Sequence, residues 1–259
     1  MSHEQISIRT HDGMCPAHVF TPAGASAGPG PWPAVIFYMD GLGIRPTLFD
    51  MGQRLSDGGY VVLLPDLFYR AGRYEPLEPK KVLAAGDVRA ALAHLFQSTD
   101  NRRAAADTEA FLAWFSTRGD VTGAKVGTTG YCMGGAISLT VAGTYPDRIA
   151  AAASFHGGNL ATDSAMSPHL LAPRMKARVY VAGADRDGSY PPEMAERLEK
   201  ALSDAGVDHR CEIYSGALHG WTMADFPIYD EPAAERHWRE LFALFAATLR
   251  HTPEVRKPL

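Results

Sequence analysis

Gly130-Tyr131-Cys132-Met133-Gly134-Gly135, which follows the apolar-flanked segment Ala124–Thr129, decides how this chain is read. The spacing is that of a nucleophile elbow, G-x-S-x-G, with cysteine in the serine position. At such an elbow the backbone turns sharply from a strand into a helix. The central residue is strained and lifted above the sheet, and glycine is the residue easily tolerated two positions to either side. The helix expected after it, through Ala136–Ala142, points its positive end at the sulfur and favours a thiolate. An isolated G-x-C-x-G fits a buried cysteine before a glycine-rich turn equally well, so the rest of the chain has to decide.

Working outward, apolar runs alternate with helical segments. Ala34–Tyr38, Val61–Leu64, Lys125–Thr129, Ile149–Phe155 and Arg178–Ala182 read as strands buried on both faces, the pattern of a parallel sheet. Between them Thr47–Gly58, Pro79–Gln97, Asp107–Thr117, Gly135–Thr144 and Pro192–Ala205 read as helices, with Gly206 closing the last. Gln5–Arg9 and Ala17–Thr21 flank Asp12-Gly13, a hairpin signal, and Ala23–Pro33 reads as a loop. Arg210–Tyr214 is a further strand, and a final helix carries Trp238, Leu241, Phe242, Phe245 and Leu249 on one stripe. Strands alternating with helices imply right-handed crossovers and one mostly parallel, doubly wound α/β sheet with helices on both faces. With no repeat or interdomain linker, residues 1–259 are expected to form a single domain.

The 259 residues, 46% hydrophobic, suffice for a large core. A mixed charge with a formal net of −4 gives no footprint for nucleic acid or an anionic membrane. The three cysteines, Cys15, Cys132 and Cys211, are far apart and lack metal-ligand spacing, as in a reducing compartment. The start, Met1–Ile6, has neither a basic segment nor a long apolar run, and no uncharged stretch is long enough to span a bilayer. A cytoplasmic protein is the expectation.

A cysteine nucleophile needs a base, and the base needs an orienting acid. Both follow in the order nucleophile, acid, histidine, each just after a strand, where catalytic groups gather in open α/β sheets. After Arg178–Ala182 comes Gly183-Ala184-Asp185-Arg186-Asp187-Gly188-Ser189; after Arg210–Tyr214 comes Ser215-Gly216-Ala217-Leu218-His219-Gly220. His219 is the base. Asp187, nearer the helix at Pro192, is favoured as its orienter, with Asp185 as the alternative. The oxyanion hole needs two backbone N–H groups, one from Met133 after the nucleophile and one from the loop after the third strand, at Gly41. Asp40 would then stand close to Cys132, where a bare carboxylate suppresses the thiolate. It has to be neutralised, hydrogen-bonded or movable.

Other residues are less pointed. Cys15 and Cys211 read as structural thiols. His156, before Gly157-Gly158, could line a pocket or cap its loop, and the loop Phe68–Tyr74 is long enough to shape a substrate mouth. No phosphate-binding loop, dinucleotide fingerprint or zinc spacing is present.

Through its Gly130–Gly135 elbow, its Gly183-x-Asp185-x-Asp187 segment and its Gly216-Ala-Leu-His219-Gly220 segment, the chain resembles the dienelactone hydrolase family of α/β-hydrolases from the first hairpin to the last helix. The resemblance implies a Cys-His-Asp triad, cleavage of an enol-lactone or related ester as by a carboxymethylenebutenolidase, and no cofactor. It also implies a carboxylate that moves when substrate arrives and frees the thiol. Asp40 occupies that place, where familiar members carry glutamate. Four residues after His219 those members have an arginine that grips a substrate carboxylate; here the residue is Met223, and Arg70 or Arg73 would have to compensate. A small ester or lactone is the expected partner. The competing readings are a non-catalytic binding protein that keeps the pocket and a redox-sensing thiol protein.

Overall fold

The computed structural model describes residues 2–23, 28–75, 77–84 and 86–250, apart from the Arg89 side chain. Among them, eight strands join in one sheet, in the order β1-β2-β4-β3-β5-β6-β7-β8. β1 (Ser2–Arg9) and β2 (Met14–Thr21) form the antiparallel hairpin expected around Gly13, and β2 continues antiparallel onto β4 (Val61–Pro65). From β4 onward, β3 (Ala34–Tyr38), β5 (Val126–Tyr131), β6 (Ile149–Phe155), β7 (Arg178–Ala184) and β8 (His209–Tyr214) run parallel. Every residue of β3, β4 and β5 is buried, because helices cover both faces of these central strands.

Two neighbouring residues of β5 show the two layers. Thr128 faces α6 (Met133–Thr144), where its Oγ1 meets Ser138 Oγ at 2.8 Å. Gly127 points to the opposite face. A Cβ there would lie 2.8 Å from Phe245 of α8 (Glu231–Leu249), so the missing side chain lets the final helix settle onto the sheet. Of the stripe read from the sequence, Trp238, Leu241, Phe245 and Leu249 are buried on α8, and Phe242 is partly buried against the same core. The chain has the α/β-hydrolase fold.

α1 (Pro46–Asp57) and α7 (Pro192–Asp204) lie within a residue of expectation. The single helix expected over Pro79–Gln97 is replaced by three short ones, α2 (Pro79–Ala84), α3 (Val88–Ala91) and α4 (Ala93–Phe96). Gly86, at φ +83°, takes a conformation no helix can propagate, and Asp87 caps a new start by accepting from Ala90 N. α5 (Asn101–Ser116) begins six residues before the expected Asp107, because Asp100 is its N-cap and accepts from Arg103 N at 2.8 Å. Of the Ala23–Pro33 loop, residues 24–27 lie outside the described residues, as does residue 85 within the Pro79–Gln97 stretch. Among the described residues no helix is long and apolar enough to cross a membrane.

Candidate active site

The elbow is built by close approach. Cys132 sits between β5 and α6 at φ +55° and ψ −117°, a conformation that costs a non-glycine residue on the order of 1–3 kcal/mol. A Cβ on Gly130 would lie 1.9 Å from Gly134 O, and one on Gly134 would lie 2.4 Å from Tyr38 O. The turn is therefore possible only with glycine at both places. It holds the sulfur above the C-terminal edge of the sheet with Met133 as the first residue of α6.

His219 and Asp187 come to the same edge on the loops after β8 and β7. Asp185 joins these loops: its N–H donates to Ala217 O at 2.8 Å, and its Oδ2 accepts from Gly216 N at 3.0 Å. Asp187, two residues on, points the other way, and its Oδ2 lies 2.6 Å from His219 Nδ1. Ser189 donates to Asp187 Oδ1 through its N–H at 2.8 Å and through its hydroxyl at 2.6 Å. The carboxylate is thus fixed on both oxygens. The same histidine shares its cavity with Cys132, whose sulfur acts on it electrostatically.

Burial works against a charged His219, but the Cys132 sulfur and the Asp187 carboxylate outweigh it and push its pKa up to about 10. Burial likewise raises Asp187, yet its bonds to His219 and Ser189 win and hold it below the usual carboxylate range. His156 completes the cluster at φ +38°, with its ring edge-on to His219 at 5.2 Å between centroids. Its Nε2 pairs with Thr222 Oγ1 at 2.8 Å, and full burial, reinforced by the neighbouring His219, holds it neutral.

On the opposite wall, the Asp40 carboxylate is held by Arg45. Nη1 and Nη2 of Arg45 reach Oδ1 and Oδ2 at 2.7 and 2.8 Å, and Leu42 N donates to Oδ1 at 2.9 Å. Leu42 and Gly43 both spend their N–H groups on Asp40, Gly43 on the carbonyl at 3.2 Å. Gly41, between Asp40 and Leu42, faces Phe96, whose ring a Cβ would meet at 2.9 Å.

Asp40, Gly41, Cys132, Met133, Asp187 and His219 all line one cavity of about 570 Å³, the size of a small-molecule site. Its remaining wall is largely apolar, with Leu83, Val88, Phe96, Ile137 and Phe226. Asp100 and Asn101, at the start of α5, form a polar margin. The sequence reads Pro79–Gln97 as plain helix, and the break at Gly86 is what turns Leu83, Val88 and Phe96 onto the site.

Several expectations land elsewhere. Arg70 does not line the cavity. It grips Asp107 through two nitrogens at 2.6 and 2.9 Å and Asp12 at 2.7 Å, fastening its loop to α5 and to the first hairpin. Arg73 is exposed and also absent from the lining; the loop backs the cavity through Phe68 against Phe96. Met223 is fully buried. Cys15 is buried in β2, and burial raises both its thiol and that of Cys211. Arg45, Ser189 and Thr222 were not found from sequence. Asp-x-Ser is an Asx-type turn signal that would have pointed to Ser189, but nothing local marks Arg45. Among the described residues no group of three or more His, Cys, Asp or Glu is placed to hold a metal ion.

The family model described as "Dienelactone hydrolase family" matches residues 16–249. A protein of Synechocystis sp. is 27% identical over 253 residues, 95% of this chain and 99% of its own length. A carboxymethylenebutenolidase of Pseudomonas putida is 28% identical over 235 residues, covering 90% of this chain and 92% of its own. A crystal structure from Klebsiella pneumoniae subsp. pneumoniae superposes with a TM-score of 0.81 at 24% identity, over 95% of this chain and 98% of that one, which establishes the shared fold. With a family match across nearly the whole chain and a cavity of small-molecule size at the carboxyl edge of its sheet, the chain belongs to the dienelactone hydrolase family and is a hydrolase of the ester- and lactone-cleaving kind.

Proposed function

We propose that the protein cleaves a small carboxylic ester or lactone through a Cys132 acyl-enzyme, with His219 as acid and base and Asp187 as its orienter. The observation that carries this reading is the 2.6 Å contact of Asp187 Oδ2 with His219 Nδ1, on a histidine that lines the same cavity as the sulfur of a strained elbow. The Cys132 proton passes to His219 and the thiolate attacks the acyl carbon. The developing oxyanion is taken by the N–H groups of Met133 and Gly41, the one residue between Asp40 and Leu42. Collapse breaks the bond to the leaving oxygen, which takes the imidazolium proton. Water then gives a proton to His219 and attacks the thioester, releasing the acid and restoring Cys132. The sequence needs no redox step and no cofactor.

The apolar wall supports a neutral acyl or alkyl portion of substrate, since Leu83, Val88, Phe96, Ile137 and Phe226 offer contact area and no ionic grip. The single sheet running through the described chain supports the reading of residues 1–259 as one domain. A redox pair with Cys132 is disfavoured: β2 and β8, which carry Cys15 and Cys211, each lie three strands from β5, about 14 Å away at the usual strand spacing. A disulfide needs Cα atoms within about 7 Å.

The test is a panel of lactones, aryl esters and thioesters assayed with wild type, Cys132→Ala and His219→Ala. Loss of turnover in both folded variants supports the triad, and full activity in either removes it. An inert Cys132 with no turnover on the panel would point to a binding protein instead.

A further inference from the structure

The seam between α5 and α6 leads out of the active-site cavity. Asn101, Ala105 and Glu109 follow one face of α5 at four-residue steps, and Ile137, Thr140 and Thr144 follow one face of α6 at steps of three and four. Asn101 and Ile137 line the cavity that holds Cys132. Asn101, Ala105 and Thr140 line a second cavity of about 440 Å³. The two cavities share Asn101, and so adjoin at the first residue of α5. Side chains along the seam are short, Ala105 and Ala106 facing Thr140 and Thr144, which leaves room between the helices.

The outer wall comes from the 3-10 turn Pro168–Arg174 and the residues before it, with Met166, Leu170 and Leu171. This wall is fixed. A Cβ on Gly143 would lie 2.4 Å from Leu171 Cβ, so the turn rests directly on α6. Ser167 Oγ accepts from Thr162 N at 2.8 Å and meets His169 Nδ1 at 2.8 Å. Tyr145 ties α6 to α5 by donating to Ala105 O at 2.8 Å. Met166 and Leu170 nevertheless stay 50% and 53% exposed, two large apolar side chains bordering an open groove. The charged residues of the lining, Arg102 and Glu109, are exposed and opposite in sign, so the groove offers contact area and no net ionic grip.

The proposed chemistry decides which part of a substrate points there. At the carbon attacked by Cys132 three bonds have fixed places: to the sulfur, to the oxyanion at Met133 and Gly41, and to the leaving oxygen that His219 protonates. His219 and Asp187 stand on the loops after β8 and β7, so the leaving group occupies that side. The acyl chain takes the fourth direction, toward Ile137 and Asn101. Thr140 lies seven residues beyond Met133, about 10 Å along α6, the span of about eight bonds in an extended chain.

We propose that the groove between α5, α6 and the 165–171 segment is an acyl-chain subsite, and that the protein is built for esters of linear medium-chain acids of about eight carbons. This rests on the Cys132 acyl-enzyme reading above. The thiolate adds to the acyl carbon, the leaving oxygen departs with the His219 proton, and the chain stays on the sulfur with its tail along the seam. An acetyl group ends inside the first cavity and never meets Met166 or Leu170.

The experiment compares kcat/KM for p-nitrophenyl acetate and p-nitrophenyl octanoate, with wild type, Leu170→Asp and Met166→Asp. Each buried methylene is worth about 4-fold, so wild type is expected to favour octanoate by about 10-fold or more. Either variant sets a carboxylate against the tail and is expected to lower the octanoate-to-acetate ratio by about 10-fold. Both positions are half exposed, so the variants are expected to fold, and the ratio cancels any general loss of active protein. A wild-type preference for acetate overturns the proposal, as does an unchanged ratio in both variants. An unchanged ratio with a smaller particle by size-exclusion chromatography also overturns it, and makes the groove an interface between copies. If neither ester is turned over, the thermal shift given by decan-2-one over that given by pentan-2-one decides. A larger shift in wild type that Leu170→Asp abolishes supports the subsite, and equal shifts in the two proteins overturn it. Turnover by Cys132→Ala would refute the acyl-enzyme separately from any of these ratios.

Discussion

His219 Nδ1 lies 2.6 Å from Asp187 Oδ2, while Ser189 holds the other oxygen through both its N–H and its hydroxyl. Asp185, two residues away, instead accepts from Gly216 N. In the proposed triad the two aspartates divide the work, Asp187 orienting the base and Asp185 tying down the loop that carries it. Asp187→Asn is expected to lower kcat on an aryl ester by about 10²–10⁴-fold, because an amide leaves the histidine in the wrong tautomer and an imidazolium without its counter-ion. Asp185→Asn keeps an acceptor for Gly216 and is expected to stay within about 3-fold of wild type. Equal losses in the two variants would contradict this division.

Thermal stability is expected to fall as the solution is made alkaline. His219 binds its proton more tightly in the folded chain than its ordinary value of 6.5, so the stabilisation is complete below that pH and is lost as pH climbs through about 10. Burial opposes this shift, and the Cys132 sulfur is the first of the groups that raise it. Cys132→Ala is therefore expected to flatten the decline in Tm between pH 7 and pH 10. Asp187 acts in the opposite sense: its proton is held less tightly when folded, so its contribution is present above the ordinary carboxylate range and is lost on acidification. Parallel Tm–pH curves for wild type and Cys132→Ala would contradict the assignment.

The three thiols are expected to differ sharply in reactivity. Cys15 is buried, with its sulfur 3.5 Å from the carbonyls of Pro16 and Asp66, and burial raises both its thiol and that of Cys211. Native protein treated with a limiting alkylating reagent at neutral pH should carry label on Cys132, with the other two reacting after unfolding. Peptide mapping that finds Cys15 or Cys211 labelled first would refute this.

An arginine cannot be grafted at position 223 to recreate a substrate-carboxylate grip. Met223 is fully buried and its N–H is bonded to Gly220 O, so its side chain belongs to the core beneath the His219 loop. Met223→Arg places an unpaired charge there and is expected to cost on the order of 3–5 kcal/mol, seen as a large drop in Tm, without improving turnover of anionic lactones. A stable variant that gains activity on them would show that the side chain reaches the cavity.

A tight turn forced Gly134 to be glycine, and a tight turn is also why it was legible. Gly134→Ala drives a Cβ to 2.4 Å from Tyr38 O, so a backbone shift is unavoidable. The expected loss is about 1–3 kcal/mol, or several degrees in Tm, together with loss of turnover as the elbow opens. An active variant of unchanged Tm would mean that the α6 start tolerates the shift.

The elbow, the strand order of chemistry and the buried parallel strands could all be read locally, because each depends on neighbours in the chain. Ala34–Tyr38 and Ile149–Phe155 appear with unchanged bounds for that reason. The stretch Pro79–Gln97 could not be read in the same way. Its composition suits a helix, and only the left-handed Gly86 with the Asp87 cap divides it. That division matters for the site, since Leu83, Val88 and Phe96 line the cavity from the pieces.

Sequence by itself determined that this chain would turn sharply at Cys132 and carry Asp and His to the same sheet edge, since strand–turn–helix order and glycine spacing encode those features. Tertiary structure alone decided what surrounds them. Arg45 meets Asp225, 180 residues away, and Asp187 meets His219 across 32. Such pairings are set by which loops the sheet order places side by side, and side-chain charge is neutralised through space rather than along the chain. A sequence can state that Asp40 needs a partner. Only the fold supplies Arg45.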